Sequence, residues 1–221
     1  MDRAERNIQP SRGGEHGARN HRVELHVKRT IDVVFAIVML ALLSPFLAVI
    51  AVAIRLDSKG PVLFIQSRVG LRGREFKMLK FRTMCQHAER LLPGLAHLNR
   101  GGAHLIRIEH DPRVTRVGGV LRHTSLDELP QLVNVIKGDM SLVGPRPQAP
   151  HEVALYSSRE RRRLSVPAGM TGLWQITGRD SPSFEEWVRR DLEYIERWNL
   201  GLDLQILLRT PFTILARLRH S

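Results

Sequence analysis

A single cysteine, Cys85, in 221 residues leaves no partner for an intramolecular disulfide and no thiolate cage for a metal. That is compatible with a reducing compartment and makes Cys85 a packing residue. Aromatic residues are scarce too, at 5%. With basic residues spread along the chain and no binding module visible, the scarcity argues against a nucleic-acid binder. Acidic residues are outnumbered, 22 against 34 lysines and arginines, for a net charge of +12 with histidine neutral. Such a balance by itself suits anionic lipid headgroups, phosphorylated substrates or nucleic acid without choosing among them. The ten histidines lack the paired spacing of a zinc site, so a hard cation on carboxylates is the one metal chemistry left open. There are no repeats, and the length allows one globular domain beside whatever the apolar segment does.

What is present first is an uncharged run from Val33 to Ile54, bracketed by Lys28, Arg29 and Asp32 before it and by Arg55 and Asp57 after it. As a straight helix it would measure about 33 Å, enough for the hydrocarbon core of a bilayer. Ser44 and Pro45 stand at its midpoint, where proline removes a backbone hydrogen bond and predicts a helix-break-helix. Three topologies compete. A spanning helix should be basic on one side only, yet Arg19, Arg22, Lys28 and Arg29 precede the run and Arg55, Lys59, Arg68 and Arg72 follow it. Basic flanks on both sides favour a re-entrant segment with both ends in the cytoplasm. A kinked spanning helix is the second topology, and a cleaved signal peptide is a third, disfavoured because the apolar run is longer than an ordinary h-region.

The stretch from Ser125 to Pro147, SLDELPQLVNVIKGDMSLVGPRP, sets Asp127 and Glu128 before an apolar helical pattern and ends on an arginine between prolines. Carboxylates at a helix start lie among backbone N–H donors that favour their ionised form, as a nucleophile or metal ligand requires. Arg113, Arg116, Arg122 and Arg146 would suit anionic oxygens. Ser125 to Glu128 equally fits a structural capping box. Asp127 as the cap would instead place Pro130 in the tolerated first turn. Leu126, Leu129, Val133 and Ile136 then form one buried stripe ending at Gly138.

Elsewhere the pattern predicts a disordered tail over residues 1 to about 21, and strands at Val62 to Gln66 and Glu75 to Phe81 joined through Gly70 and Gly73. Leu95 to Asp111 reads as a mobile loop, Val153 to Leu164 as a short helix, and Pro167 to Arg179 as a structured glycine-punctuated loop. Ser183 and Glu186 read as a capping box opening an amphipathic helix that carries Phe184, Trp187, Val188, Leu192, Ile195 and Trp198 on one stripe. The segment Leu202 to Leu218 mixes leucines with arginines around Pro211 and can lie in a membrane interface as readily as on a core.

Lys80 to Met84 (KFRTM), SLDELPQ at 125 to 131, KGDM at 137 to 140, SLVGPRP at 141 to 147, PAGMTGLWQ at 167 to 175 and the Ser44-Pro45 pair together resemble the bacterial sugar transferases, the monotopic phosphoglycosyl transferases. The likeness covers about residues 27 to 215 and matches the minimal catalytic form without a further N-terminal transmembrane region. It implies an α+β, mostly helical monotopic membrane enzyme with a re-entrant helix-break-helix, a small β-hairpin and amphipathic interfacial helices. The implied organisation is a disordered basic tail at 1–26, a re-entrant membrane helix at 27–57 and a catalytic domain at 58–221. The implied reaction moves a sugar 1-phosphate from a UDP-sugar to polyprenyl (undecaprenyl) phosphate at the cytoplasmic face of the bacterial inner membrane, starting a surface glycan. Asp127 would be the nucleophile that becomes a covalent phosphosugar ester, Glu128 its assistant, and Mg2+ the cofactor.

Arg122 and Arg146 are the expected phosphate clamps, with Lys80 and Arg82 as second choices. Asp203 falls where the family has an acid, so it is expected at the metal with Asp127 or bracing an arginine. His123 stands where the family often has a second basic residue. Partners are the donor, the lipid acceptor and membrane lipids, with a homodimer open through the amphipathic C-terminal segment and no nucleic acid. The competing class is a non-catalytic membrane-tethered adaptor for anionic lipid, which would use the basic residues and the membrane segment but not the carboxylates.

Overall fold

The structure is a computed structural model that describes residues 12–91, 93–98, 108, 110–177 and 183–219. Helix α1 (Arg12–Asp57) has 46 residues. Among the described residues it is the one helix long and apolar enough to cross a membrane, with a mean hydropathy of 2.9 in its most apolar window. It starts at Arg12, earlier than the boundary read from the sequence; residues 1–11 of the expected tail and residues 99–107 of the expected loop lie outside the described residues. Helical hydrogen bonding runs through Ser44 and Pro45. A proline at 45 cannot donate to the carbonyl of Ala41, one turn earlier. The Ser44 hydroxyl donates to that oxygen instead, at 2.8 Å, so the pair replaces one hydrogen bond without opening a loop.

Helix α1 is fixed to the same globular domain on either side of its exposed apolar stretch. On the N-terminal side, Arg29 donates to the carbonyls of Val135 and Ile136 at 2.6 and 2.9 Å, and Ala36 is fully buried in the main core. Near its end, Ile50 and Ile54 pack on Phe81 and Leu121, and Asp57 accepts from the Val117 N–H at 3.0 Å. Between these anchors Phe35, Val38, Leu42, Phe46, Val49 and Val52 face outward.

Strands β1 (Leu63–Val69) and β2 (Glu75–Phe81) form the expected antiparallel hairpin, with Leu63 opposite Phe81 and Val69 opposite Glu75. Its turn uses left-handed backbone at Arg72 and Gly73. Then come α2 (Ala88–Leu91), a 3₁₀ segment at Pro93–Leu98, α3 (Arg116–Thr124), a 3₁₀ turn at Leu126–Glu128, α4 (Gln131–Lys137) and β3 (Met140–Val143). The second half comprises α5 (Pro150–Ala154), α6 (Ser158–Arg161), β4 (Ala168–Thr171), α7 (Leu173–Thr177), α8 (Phe184–Arg197) and α9 (Leu200–Arg219). The protein is therefore α+β and mostly helical. The main core gathers α1, β2, α4, β3, α8 and α9 around Ala36, Met78, Val135, Val143, Tyr194 and Ile206.

Three local expectations change. The helix read at Val153 to Leu164 is split, because Ser157 and Glu160 form a reciprocal capping box that starts a new helix at Ser158. The reciprocal box read at Ser183 and Glu186 does not form: the Ser183 side chain makes no cap bond to the helix, and the Glu186 carboxylate accepts from Arg189 and Arg190. The glycine-punctuated stretch after Pro167 contains β4, which pairs in parallel with β3. Gly144 and Gly169 allow that crossing, since a Cβ on Gly169 would lie 2.1 Å from the Gly144 nitrogen. Helix α9 serves both uses open to it, burying Ile206 while Leu204, Leu208, Phe212 and Leu215 form an exposed apolar row.

Candidate active site

The Asp127–Glu128 pair lies in the 3₁₀ turn between α3 and α4 rather than in the first turn of a longer helix. Ser125 does not cap it. Its backbone is left-handed, with φ 59, and it ends α3 by donating its N–H to the Arg122 carbonyl. Pro130 takes the residue before α4, where its missing N–H costs nothing, and Gly138, with φ 90, ends that helix as the pattern predicts.

Two contacts bring basic residues to this turn. Asn134 on α4 accepts from the Leu79 N–H at 3.0 Å and donates to the Lys77 carbonyl at 2.8 Å, which locks β2 against α4 and sets Lys80 over Glu128. On the other side, Thr115 caps α3, and Gly118 lets that helix touch the chain at Thr83: a Cβ there would lie 2.1 Å from the Thr83 oxygen. One turn later Arg122 Nε donates to Thr83 Oγ1 at 2.8 Å.

Glu128 is held by two cations. Its Oε1 accepts from Lys80 Nζ at 3.1 Å and from Arg146 Nη2 at 2.7 Å. Burial opposes its ionisation, but the charges and hydrogen bonds of Arg146 and Lys80 outweigh this and hold the carboxyl far below the usual range. Asp127 is the opposite case. Burial, and then the neighbouring Glu128 charge, push its carboxyl up, while Lys80, Arg146 and Arg122 pull only partly against them. The sequence expectation of two carboxylates both favoured in ionised form therefore holds for Glu128 alone. Among the described residues no hydrogen bond is made to the Asp127 carboxylate. It stands in a ring of positive charge while its neighbour absorbs the direct ion pairs.

Lys80, Arg122 and Arg146 thus converge with Asp127 and Glu128, as expected. Arg82 does not. Its guanidinium is buried and donates to the carbonyl and hydroxyl of Ser58 at 2.7 and 2.9 Å, tying β2 to the end of α1. Neither does Asp203, which is absorbed by Lys28 of α1: Lys28 Nζ lies 2.6 Å from Oδ2, and the Tyr194 hydroxyl donates to Oδ1 at 2.7 Å. A carboxylate so paired anchors α1, and among the described residues its contacts are with Lys28, Tyr194 and Trp198 rather than with Asp127. Arg113 is likewise spent, bidentate on Asp111.

Sequence reading overlooked Arg68, whose Nη1 reaches the Pro147 carbonyl at 3.5 Å and Glu152 at 3.4 Å. It also overlooked Arg163, whose Nη2 donates to the Arg146 carbonyl at 3.2 Å. Neither carries a local signal, because each acts on a turn remote in sequence.

A membrane helix beside a partly buried carboxylate ringed by lysine and arginine defines a membrane-attached protein whose site suits anionic ligands. The chain belongs to the bacterial sugar transferase family, whose model matches residues 23–217. Over 195 residues it is 42% identical to the exopolysaccharide production protein ExoY of Sinorhizobium fredii, covering 86% of each chain. It is 45% identical over 197 residues to the UDP-glucose:undecaprenyl-phosphate glucose-1-phosphate transferase of Caulobacter vibrioides, covering 86% of this chain and 70% of that one. It is also 43% identical to the galactosyl transferase CpsE of Streptococcus agalactiae, but there it spans only 42% of the relative's length.

Proposed function

We propose that the chain transfers a sugar 1-phosphate from a UDP-sugar to undecaprenyl phosphate through a covalent intermediate on Asp127. The observation that carries this reading is the division of labour in the acidic pair. Glu128 is saturated by Lys80 and Arg146, whereas the Asp127 carboxylate accepts no hydrogen bond among the described residues and sits under the same cations plus Arg122. A carboxyl pushed up by burial is a better nucleophile once ionised, and the surrounding cations favour the approach of a second anion.

An Asp127 oxygen attacks the sugar-linked phosphorus, the bond from that phosphorus to the bridging oxygen breaks, and UMP leaves with that oxygen. The undecaprenyl phosphate oxygen then attacks the same phosphorus, giving the lipid diphosphate sugar and returning Asp127 as a carboxylate. Arg146 and Lys80 hold Glu128 ionised and offer their remaining donors to phosphate oxygens; Arg122 closes the opposite side.

Magnesium fits the donor chemistry. The described residues contain no cluster of three or more His, Cys, Asp or Glu, and a cation that keeps its waters and takes phosphate oxygens needs only one or two carboxylates. Asp127, with Glu128 beside it, would hold the ion, which when bound neutralises diphosphate charge.

Anchoring of α1 on one domain both before and after its apolar stretch supports a one-sided placement, and the basic flanks on both sides favour the inner membrane with the domain in the cytoplasm. A spanning helix would put hydrocarbon between two points that touch the same charged domain. The exposed row of α9 supports the same placement, lying in the interface.

The test is incubation of the detergent-extracted protein with a panel of UDP-sugars, undecaprenyl phosphate and magnesium while UMP release is followed. One donor releases UMP, Asp127→Asn abolishes release, and intact-protein mass spectrometry of the donor-only reaction shows a phosphosugar adduct on Asp127. A variant with full turnover would sink the covalent mechanism; lipid binding without UMP from any donor would leave the adaptor reading.

A further inference from the structure

The turn that carries Arg146 has an unusual property: four consecutive carbonyls each accept from a fixed donor. Pro145 O takes the Gly169 N–H at 2.9 Å, and Arg146 O takes Arg163 Nη2 at 3.2 Å. Pro147 O takes Arg68 Nη1 at 3.5 Å, and Gln148 O takes the Val69 N–H at 2.9 Å. Two of the four residues are prolines, with φ fixed and no N–H of their own. Three donors come from the strands β1 and β4, but the one on Arg146 itself comes from the buried Arg163 side chain.

Arg163 is only 3% exposed and Asp191 only 1%. Arg163 Nε donates to Asp191 Oδ2 at 2.8 Å, Nη1 donates to the Tyr156 hydroxyl at 2.5 Å, and the guanidinium lies over the Tyr156 and Phe184 rings at 5.6 and 5.8 Å. A buried ion pair adds little net stability because desolvation offsets its attraction. What this one provides is direction: Asp191 grips the Nε–Nη2 edge, with Nη2 2.7 Å from Oδ2, Tyr156 takes Nη1, and the planar fork so fixed aims the second Nη2 hydrogen at the Arg146 carbonyl.

We propose that Arg163, held by Asp191, is a positioning residue that fixes the Pro145–Pro147 turn so that the Arg146 side chain faces Glu128 and the substrate phosphate. The importance of that aim rests on the phosphoryl-transfer reading, whereas the positioning itself is a property of the turn. Arg163 touches no reacting atom. Its effect reaches the site through the backbone of Arg146, and the Arg146 guanidinium then meets Glu128 Oε1 at 2.7 Å. Lysine at 163 keeps the charge but cannot reach Asp191, Tyr156 and the carbonyl together.

Two measurements on the full chain in lipid nanodiscs test this. The first is modification by phenylglyoxal, with the rate at each arginine read by peptide mass spectrometry. Arg163→Lys is expected to speed modification of Arg146 several-fold and leave Arg122 unchanged, with Tyr156→Phe giving a smaller change in the same direction. Should Arg163→Lys unfold the protein, all arginines would react faster and Tyr156→Phe would decide. An unchanged Arg146 rate in the folded variant overturns the proposal.

The second is a double-mutant cycle on UMP release. Arg163→Lys is expected to lower kcat about 10- to 100-fold with donor KM little changed, as for a misplaced catalytic group. In an Arg146→Ala background it should add almost nothing. Equal losses in both backgrounds would mean that Arg163 serves only general structure and would overturn the proposal. If wild-type protein released UMP from no donor, the functional reading would fall while the reactivity of Arg146 still decided the positioning.

Discussion

Adjacent carboxylates in one turn have opposite electrostatics, because Lys80 and Arg146 are bonded to Glu128 and only near Asp127. That asymmetry sets a pH test. Asp127 must be ionised to attack, and burial and the Glu128 charge raise the pH at which it ionises. Glu128→Gln removes the repulsion and frees two cations to act on Asp127, so the acid limb of the kcat profile should move to lower pH while the plateau rate falls. An acid limb that stayed in place would show that Glu128 does not govern Asp127. For stability the sign is the reverse. Glu128 is depressed below its ordinary 4.5, so the stability it contributes is fully present above that value and is lost only as the pH falls through its folded value. At this scale the sequence was informative about which residues meet: Lys80, Arg122, Asp127, Glu128 and Arg146 lie in recognisable blocks. It was silent on the split between the two acids, which depends on which oxygen each cation reaches.

Among elements, α1 is the one whose polar residues have a second role that the sequence does not show. Lys28, Asp32, Arg55 and Asp57 look like the charged borders of a membrane segment, and they are that. The structure also uses them as anchors: Lys28 on Asp203 and the Val143 carbonyl, Asp32 on the Ser141 hydroxyl at 2.7 Å, and Asp57 on the start of α3. Lys28→Met would leave Asp203 buried among Tyr194 and Trp198 without its cation, a change that typically costs about 3–5 kcal/mol. Chemical denaturation of the detergent-solubilised protein should register that loss. Asp203→Asn, by contrast, should leave the magnesium concentration for half-maximal turnover unaltered, since Asp203 is remote from Asp127 in its contacts. A shifted magnesium dependence would return it to the metal site.

For the whole molecule, the decisive feature is that one domain grips its membrane helix on either side of the apolar stretch. Single cysteines at Glu24 and Lys59, exposed positions outside the two anchors, are expected in a Cys85→Ser background to react with a membrane-impermeant maleimide from the cytoplasmic side only. Reaction of one from each side would establish a spanning helix and contradict the contacts of Arg29 and Asp57. Pro45→Ala restores a backbone donor to Ala41, and the Ser44 hydroxyl then competes for an oxygen already satisfied.

The sequence by itself determined whatever depends on short-range periodicity and composition: the apolar run of α1, the β1–β2 hairpin, the stripe of α8, and the acidic pair beside a proline. Those are local properties, readable within a turn or two of chain. Only the tertiary structure decided that Arg82 and Asp203 hold the membrane helix rather than the substrate, that Arg68 and Arg163 support the turn of Arg146, and that Asp127 and Glu128 differ. The reason is distance along the chain. Lys28 meets Asp203 across 175 residues, Lys80 meets Glu128 across 48, and a charge declares its sign in the sequence but finds its partner only when the chain has folded.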